Sequence, residues 1–171
     1  MKLISIIIVI LITILSLSFK NDSLSFENRT LTICDSLPDL NKTILDFVKT
    51  KIGKKTGKGE CWDLAAEALN LVKAKWNGSY EFGKEVNYKQ DCIFAGDIIQ
   101  FEGIVVKYTV NKQEYIEKFP HHTAIIYEVK SKDEFILAHQ NTSNFGKKVG
   151  LSSINLKTIS KGKFKIFRPF K

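Results

Sequence analysis

The chain has 171 residues, of which 44% are hydrophobic, and its 26 basic and 18 acidic residues give a formal net charge of +8 at pH 7. A chain of this length is most simply one domain that can bury its own core. The lysines are spread along the chain and accompany no zinc-finger, RNP-like or basic-helix pattern, which argues against a nucleic-acid-binding protein.

Residues 1–18 predict a secretory signal peptide. The stretch "MKLISIIIVILITILSLS" has one charge, Lys2, then a long Ile/Leu run and the small-x-small pattern that ends at Ser18. This layout is typical of a signal cleaved after Ser18; an uncleaved signal anchor is the alternative, and only then would the protein contact a membrane. Either way we expect the rest of the chain to leave the cytoplasm. On a secreted protein, a dispersed basic surface suits an anionic cell-wall polymer or an acidic glycan, although a plain soluble surface fits equally.

Three cysteines follow: Cys34, Cys61 and Cys92. An odd number in an oxidising compartment leaves one thiol over. The simplest arrangement pairs Cys34 with Cys92 in a disulfide and leaves Cys61 free.

The hydrophobic pattern divides the rest of the chain into a loose arm and one domain. Residues 19–36 are polar and patternless, so the domain is expected over residues 37–171. Apolar residues at helical spacing predict a helix over 39–52 and another over about 60–76. The period then changes to two, and the predicted strands are 96–103, 104–110, 122–129, 134–141 and 164–170. Helices followed by a run of antiparallel strands predict an α+β fold, with the N-terminal helices packed on the sheet.

Cys61 is the candidate nucleophile. In "TGKGECWDLAAEAL" it follows a loop broken by glycines and lies in the first turn of the second predicted helix. Unpaired N–H groups and the helix dipole at that place favour thiolate over thiol. Gly59 would let a substrate backbone approach, and Trp62 could form the wall of a binding cleft, although it also fits a core aromatic. The alternative for Cys61 is a small buried hydrophobe or a disulfide partner.

The candidate base comes from the strand region. If a two-residue turn at 130–131 joins the third and fourth predicted strands, His122 lies opposite His139, with Asn141 on the same face. His122 would then take the thiol proton, His139 would orient His122, and Asn141 would support both rings. A pair of ordinary surface histidines is one alternative. A zinc site is another, but no carboxylate or second cysteine lies at ligand spacing, so neither a metal nor a cofactor is expected.

These motifs resemble, in order and spacing, the papain-like cell-wall amidases and peptidases of the CHAP group and their NlpC-type relatives. The resemblance rests on "GECWDLA", "GDII", "HTAII" and "HQN" and spans residues 59 to about 169. It implies a papain-like fold in which Cys61 matches the nucleophile, His122 the base and His139 the third polar residue. That third place is often glutamate in CHAP domains and histidine in NlpC-type enzymes. Asp97 matches a turn residue with a structural role.

Two features depart from the family pattern. No upstream glutamine or tyrosine near Cys61 completes an oxyanion hole, so backbone N–H groups at the helix start would have to serve. Residues 101–119 form an added or long hairpin, which either overhangs the cleft or simply extends the sheet.

The function expected from the sequence is that of a secreted cysteine amidase or peptidase. It would hydrolyse an amide bond in a peptidoglycan-type or other secreted peptide by a Cys-His-His mechanism. One alternative is a non-catalytic module that binds a cell-wall peptide in the same cleft. The other is a thiol acyltransferase, in which an amine or alcohol replaces water.

Overall fold

The computed structural model describes Cys34 and residues 36–110 and 112–171, so the predicted signal peptide and nearly all of the predicted arm lie outside the described residues. The elements, in chain order, are α1 Asp39–Lys51, α2 Asp63–Leu71, β1 Lys84–Val86, β2 Ile98–Val110, β3 Gln113–Val129, β4 Glu134–His139, β5 Gly150–Asn155, a 3₁₀ turn Leu156–Thr158, and β6 Ile159–Arg168. Within the described ranges, none of the helices is long and apolar enough to cross a membrane.

The two helices differ in how well their pattern predicts them. Helix α1 ends one residue before the predicted boundary and buries Ile44, Leu45 and Val48. Helix α2 ends five residues earlier than predicted, because Lys73 adopts a left-handed conformation with φ 52°. The N–H of Ala74 then donates to the Leu69 carbonyl (3.0 Å), which closes the helix as a glycine would normally do.

The six strands form one antiparallel sheet in the order β1-β6-β2-β3-β4-β5, which confirms the predicted α+β class. Both helices pack on one side of it, here called the helix-facing face, where Leu64 and Ala68 of α2 meet Ile98, Ile125 and Ala138. The other side, the far face, carries a second apolar cluster. Its central members are Ile99, Phe101, Ala124, Ile126 and Leu137.

The long hairpin of β2 and β3 changes direction at Gly103. The predicted strands 96–103 and 104–110 are in fact one strand, and Gly103 lies within it at φ 59°. Phe101 and Ile104 both join the far-face cluster, although simple alternation would place them on opposite faces. Strand β6 crosses this point closely: a Cβ on Gly162 would lie 2.5 Å from the Gly103 carbonyl oxygen.

The β3–β4 hairpin has a different register from the predicted one. Four residues, 130–133, connect the strands instead of a two-residue turn, and the ladder is irregular between Ile126 and Glu128. Ile126 consequently pairs with Leu137 and not with Phe135. At this pair the shift is by two positions, which keeps Ile126 and Leu137 on the predicted common face.

A buried carboxylate and a disulfide hold the edges of the fold. Asp97 is fully buried and accepts hydrogen bonds from Asn41 Nδ2 (2.8 Å) and Arg168 Nη2 (2.7 Å), which ties α1 to β6. Cys34 and Cys92 form a disulfide, and Cys61 is a free cysteine.

Candidate active site

Cys61 lies in a tight loop, two residues before α2 begins. The Glu60 N–H donates to the carboxylate of Asp63, the first residue of α2 (2.9 Å), which closes the loop onto the start of the helix. Gly57 makes this turn possible, because a Cβ at that position would lie 2.7 Å from the Asp63 carboxyl carbon. The loop therefore presents Cys61, partly exposed, at the front of the helix.

Gln140 fastens this loop to the sheet. Its side chain is fully buried and makes a two-way contact with Thr56: the Thr56 N–H donates to Oε1 (3.1 Å), and Nε2 donates to the Thr56 carbonyl (2.9 Å). Nε2 also donates to the carbonyl of Glu60 (2.8 Å), the residue before Cys61. The position of the thiol thus depends on a side chain that follows β4.

The Cys61 thiol contacts Thr123 on the helix-facing face. Burial raises the pKa of Cys61, and contacts with the backbone and hydroxyl of Thr123, with the backbone of Trp62 and with its own N–H offset this only in part. Cys61 is therefore held as a thiol at rest, which differs from the thiolate expected from a helix N-terminus.

A row of polar side chains continues from Thr123 across the helix-facing face. The Thr123 hydroxyl donates to Gln100 Oε1 (2.5 Å), and Gln100 Nε2 lies 3.3 Å from His121 Nε2. His121 Nδ1 in turn lies 2.8 Å from Glu102 Oε2. Because a carboxylate oxygen accepts, the 2.8 Å contact with Glu102 assigns the proton of His121 to Nδ1 and leaves Nε2 as the acceptor.

This row ends in an imidazole that solvent can reach. The side chains of His121 and Glu102 are 35% and 37% exposed. Although burial works against it, hydrogen bonds from His121 and Gln100 lower the pKa of Glu102. The ring of Tyr80 stands edge-on to His121, with centroids 3.8 Å apart. The helix-facing face therefore carries an imidazole oriented by a carboxylate.

His122 and His139 contact each other but not Cys61. His122 Nε2 lies 2.9 Å from His139 Nδ1. Both histidine side chains line a far-face cavity with Phe101 and Leu137. Since His122 and Thr123 are adjacent in β3, their side chains point to opposite faces of the sheet. Among the described residues no hydrogen bond joins Cys61 to either ring, and the thiol contacts Thr123 on the opposite face, so the roles predicted for His122 and His139 at the thiol stay predictions. Alternation placed the two histidines on a common face but did not reveal which face the helices cover.

The remaining predicted residues lie around the Cys61 loop. Asn141 Nδ2 donates to Glu60 Oε2 (3.1 Å) and does not contact either buried histidine. Trp62 packs on Trp76 at the helix-facing core, with ring centroids 6.3 Å apart. Gly59 is buried, and a Cβ there would lie 2.8 Å from the Lys147 side chain. In the described part of the chain, no group of three or more His, Cys, Asp or Glu side chains could hold a metal ion.

Sequence reasoning missed the polar row on the helix-facing face. One signal for it was present in "DIIQFE", where Gln100 and Glu102 alternate with apolar residues. The other was His121, which directly precedes the histidine that the family resemblance selected.

Comparison with known proteins places this geometry in a family. Residues 38–171 match the AIM3/BBC1 cysteine proteinase-fold domain. The protein named "Altered inheritance of mitochondria protein 3" from Debaryomyces hansenii is 29% identical over 164 residues, and the match covers 84% of this chain. The chain spans only 18% of the length of that relative.

A solved structure shows the same fold. The crystal structure of Ly7917 with the hydrolyzing product of MDP superposes with a TM-score of 0.50 at 15% sequence identity, covering 75% of this chain and 62% of that chain. A second structure of Ly7917 gives a TM-score of 0.45. The papain-like α+β fold and the match over residues 38–171 together show that the chain belongs to the AIM3/BBC1 cysteine proteinase-fold domain family.

Proposed function

We propose that the domain is a cysteine hydrolase that cleaves an amide bond, with Cys61 as nucleophile and His121 as general base. One observation carries this proposal: Cys61 contacts Thr123, and from Thr123 a polar row runs through Gln100 to an imidazole paired with Glu102. A nucleophile, a base and a group that orients the base are what thiol catalysis requires.

The proposed reaction begins when a substrate enters between the thiol and the imidazole. Cys61 passes its proton to His121 Nε2, and the sulfur attacks the amide carbon. The N–H groups of Cys61 and Trp62, which lie beside the sulfur, are the donors available to the oxyanion. His121 then protonates the leaving amine, and water hydrolyses the thioester to regenerate the thiol. Glu102 holds the Nδ1–H throughout and stabilises the imidazolium.

The substrate class and location extend this proposal. A peptidoglycan-type peptide is supported by the resemblance of the motifs to cell-wall amidases and by the hydrolysis product of MDP that is named for Ly7917. Secretion is supported by the signal-like residues 1–18. In that compartment, the net charge of +8 suits an anionic wall polymer.

Adjacent histidines on opposite faces allow a sharp test of the catalytic proposal. We expect Cys61→Ala to abolish the release of peptides from purified sacculi, and His121→Asn to lower it by about 100-fold or more. His122→Asn is the matched control: it should change stability, followed by urea unfolding, but leave the rate per folded molecule within a few-fold. If the rate follows His122 and not His121, the base assigned from the family resemblance is right and His121 is not the base.

A non-catalytic peptide-binding module is the second candidate. It is favoured by the raised pKa of Cys61, and by the fact that among the described residues no hydrogen bond joins the thiol to an imidazole. The rate of iodoacetamide labelling between pH 6 and pH 10 separates the two. A catalytic thiol should titrate below the free value of about 8.5 once a peptide is bound. A binder should retain peptide affinity and label slowly, with or without peptide. The acyltransferase alternative is tested by adding an amine acceptor to the reaction, since an acyltransferase should yield the acylated amine.

A further inference from the structure

The far face contains a cavity of about 560 Å³ that the Cys61 reaction does not use. Three polar side chains in its wall form a second row. Ser152 Oγ lies 2.8 Å from His139 Nε2, and His139 Nδ1 lies 2.9 Å from His122 Nε2. His122 and His139 are 4% and 5% exposed, so the rest of the protein holds both rings in place.

We propose that Ser152, His139 and His122 form a second catalytic row that hydrolyses small apolar carboxylic esters in the far-face cavity, independently of Cys61. The order is that of a nucleophile, a base and a group that orients the base, which recurs on unrelated folds.

The sheet register places the three groups where such a row needs them. Ser152 pairs with Leu137, and both lie on the far face with His139. One of the two proton arrangements that satisfy these contacts is the catalytic one: the Ser152 hydroxyl donates to His139 Nε2, and His139 Nδ1–H donates to His122 Nε2. Ser152 is partly exposed, and its hydroxyl lines the cavity. Because β5 lies at the edge of the sheet that the described strands form, N–H groups beside Ser152 are candidate oxyanion donors.

The walls of the cavity indicate the acyl group. Phe101, Phe119, Leu137 and Leu151 give the cavity an apolar lining, and its other side chains are mainly neutral and polar, with Glu117 as the carboxylate among them. An uncharged apolar acyl chain fits such walls, whereas a charged substrate would lose its hydration there.

The reaction is balanced without a cofactor. The Ser152 oxygen bonds to the ester carbon as its proton passes to His139 Nε2, and the same proton leaves with the alcohol. Water then attacks the acyl-serine through His139, which releases the acid and restores the hydroxyl. Burial lowers the pKa of His139 to about 4, so it is neutral at pH 7 but takes up a proton less readily than an exposed histidine. This base suits esters whose leaving groups need little protonation and not amides, which distinguishes it from the reaction proposed for Cys61.

The test uses the full chain with Cys61→Ala, so that the thiol cannot contribute. This protein should hydrolyse p-nitrophenyl butyrate, and adding Ser152→Ala should lower the rate by about 100-fold. Ser131→Ala is the matched control, because Ser131 is an exposed serine in the β3–β4 loop, outside the residues that line the cavity. A fluorophosphonate probe should form an adduct that peptide mass spectrometry locates at Ser152.

His122 acts through His139, so its test needs a readout other than rate alone. We expect His122→Gln to lower kcat with little change in KM and to shift the acidic limb of the pH–rate profile. Thermal unfolding of each variant shows that a lost rate is not lost structure. Ester hydrolysis that survives Ser152→Ala in the folded protein overturns the proposal, as does an adduct on another residue or no adduct at all. Because Cys61 is absent throughout, these outcomes leave the amide-hydrolase proposal unaffected.

Discussion

Replacing Gln140 tests whether one buried amide positions the thiol. Gln140→Ala removes three hydrogen bonds, two to Thr56 and one to Glu60, all between 2.8 and 3.1 Å. At about 1 kcal/mol of net stabilisation each, the free energy of unfolding should fall by about 3 kcal/mol. The freed backbone groups of Thr56 are buried, so the loss should not be smaller.

Urea unfolding measures this loss, and iodoacetamide labelling of Cys61 reports on the loop itself. Labelling should become faster, because the loop that half-buries the sulfur is no longer fastened to the sheet. Gln140→Glu is the isosteric comparison: it keeps the acceptor for the Thr56 N–H but turns an oxygen toward two carbonyls, so it should not rescue stability. Asn141→Ala, which removes one exposed hydrogen bond to Glu60, should cost less than about 1 kcal/mol. A loss below about 1 kcal/mol for Gln140→Ala with unchanged labelling would refute the positioning role.

Two further predictions concern buried charge. Asp97→Ala breaks the buried pair with Arg168 and should lower the free energy of unfolding, measured in urea, by about 3–5 kcal/mol. Glu85→Ala removes the exposed pair with Lys165 and should lower it by less than about 1 kcal/mol. Equal losses for the two variants would contradict this. Burial lowers the pKa of His122 to about 3 and of His139 to about 4, from 6.5. Below pH 6.5 these two histidines therefore bind protons in the unfolded chain but not in the folded chain. The free energy of unfolding should be constant above about pH 7. Between about pH 6.5 and pH 4 it should fall by about 1.4 kcal/mol per pH unit for each histidine. Urea unfolding at pH 7.5, 5.5 and 4.5 measures this slope, His122→Gln should halve it, and a flat profile would contradict it.

The helices show which parts of the fold a local pattern can predict. Helix α1 was predicted to within one residue, because its apolar stripe, Pro38 and Gly53 all act locally. The end of α2 was not, because Lys73 takes a left-handed conformation that usually needs glycine. The short edge strands β1 and β5 were missed, since few of their side chains alternate in burial.

The site was predicted in part for a similar reason. Cys61 and the His122–His139 pair follow from motif and alternation, and the error in hairpin register left their faces unchanged. Tertiary packing determines which face of the sheet the helices cover. That packing therefore determines whether His121 or His122 lies on the same face as the thiol. Two adjacent residues in a strand give the same local signal, so only the packing of α2 against Ile125 and Ala138 distinguishes them.

The packing of β6 against Gly103 makes the shape of the far-face cavity depend on Gly162, a residue that does not line it. Gly162 leaves no room for a methyl group against the Gly103 backbone, so even alanine there would push β6 off the hairpin. The hairpin segment that β6 packs against at this point contributes Val106 and Phe119 to the cavity wall. A change at residue 162 would therefore alter the shape of the cavity while every residue that lines it stayed the same, and an inspection of the lining residues alone would miss the cause.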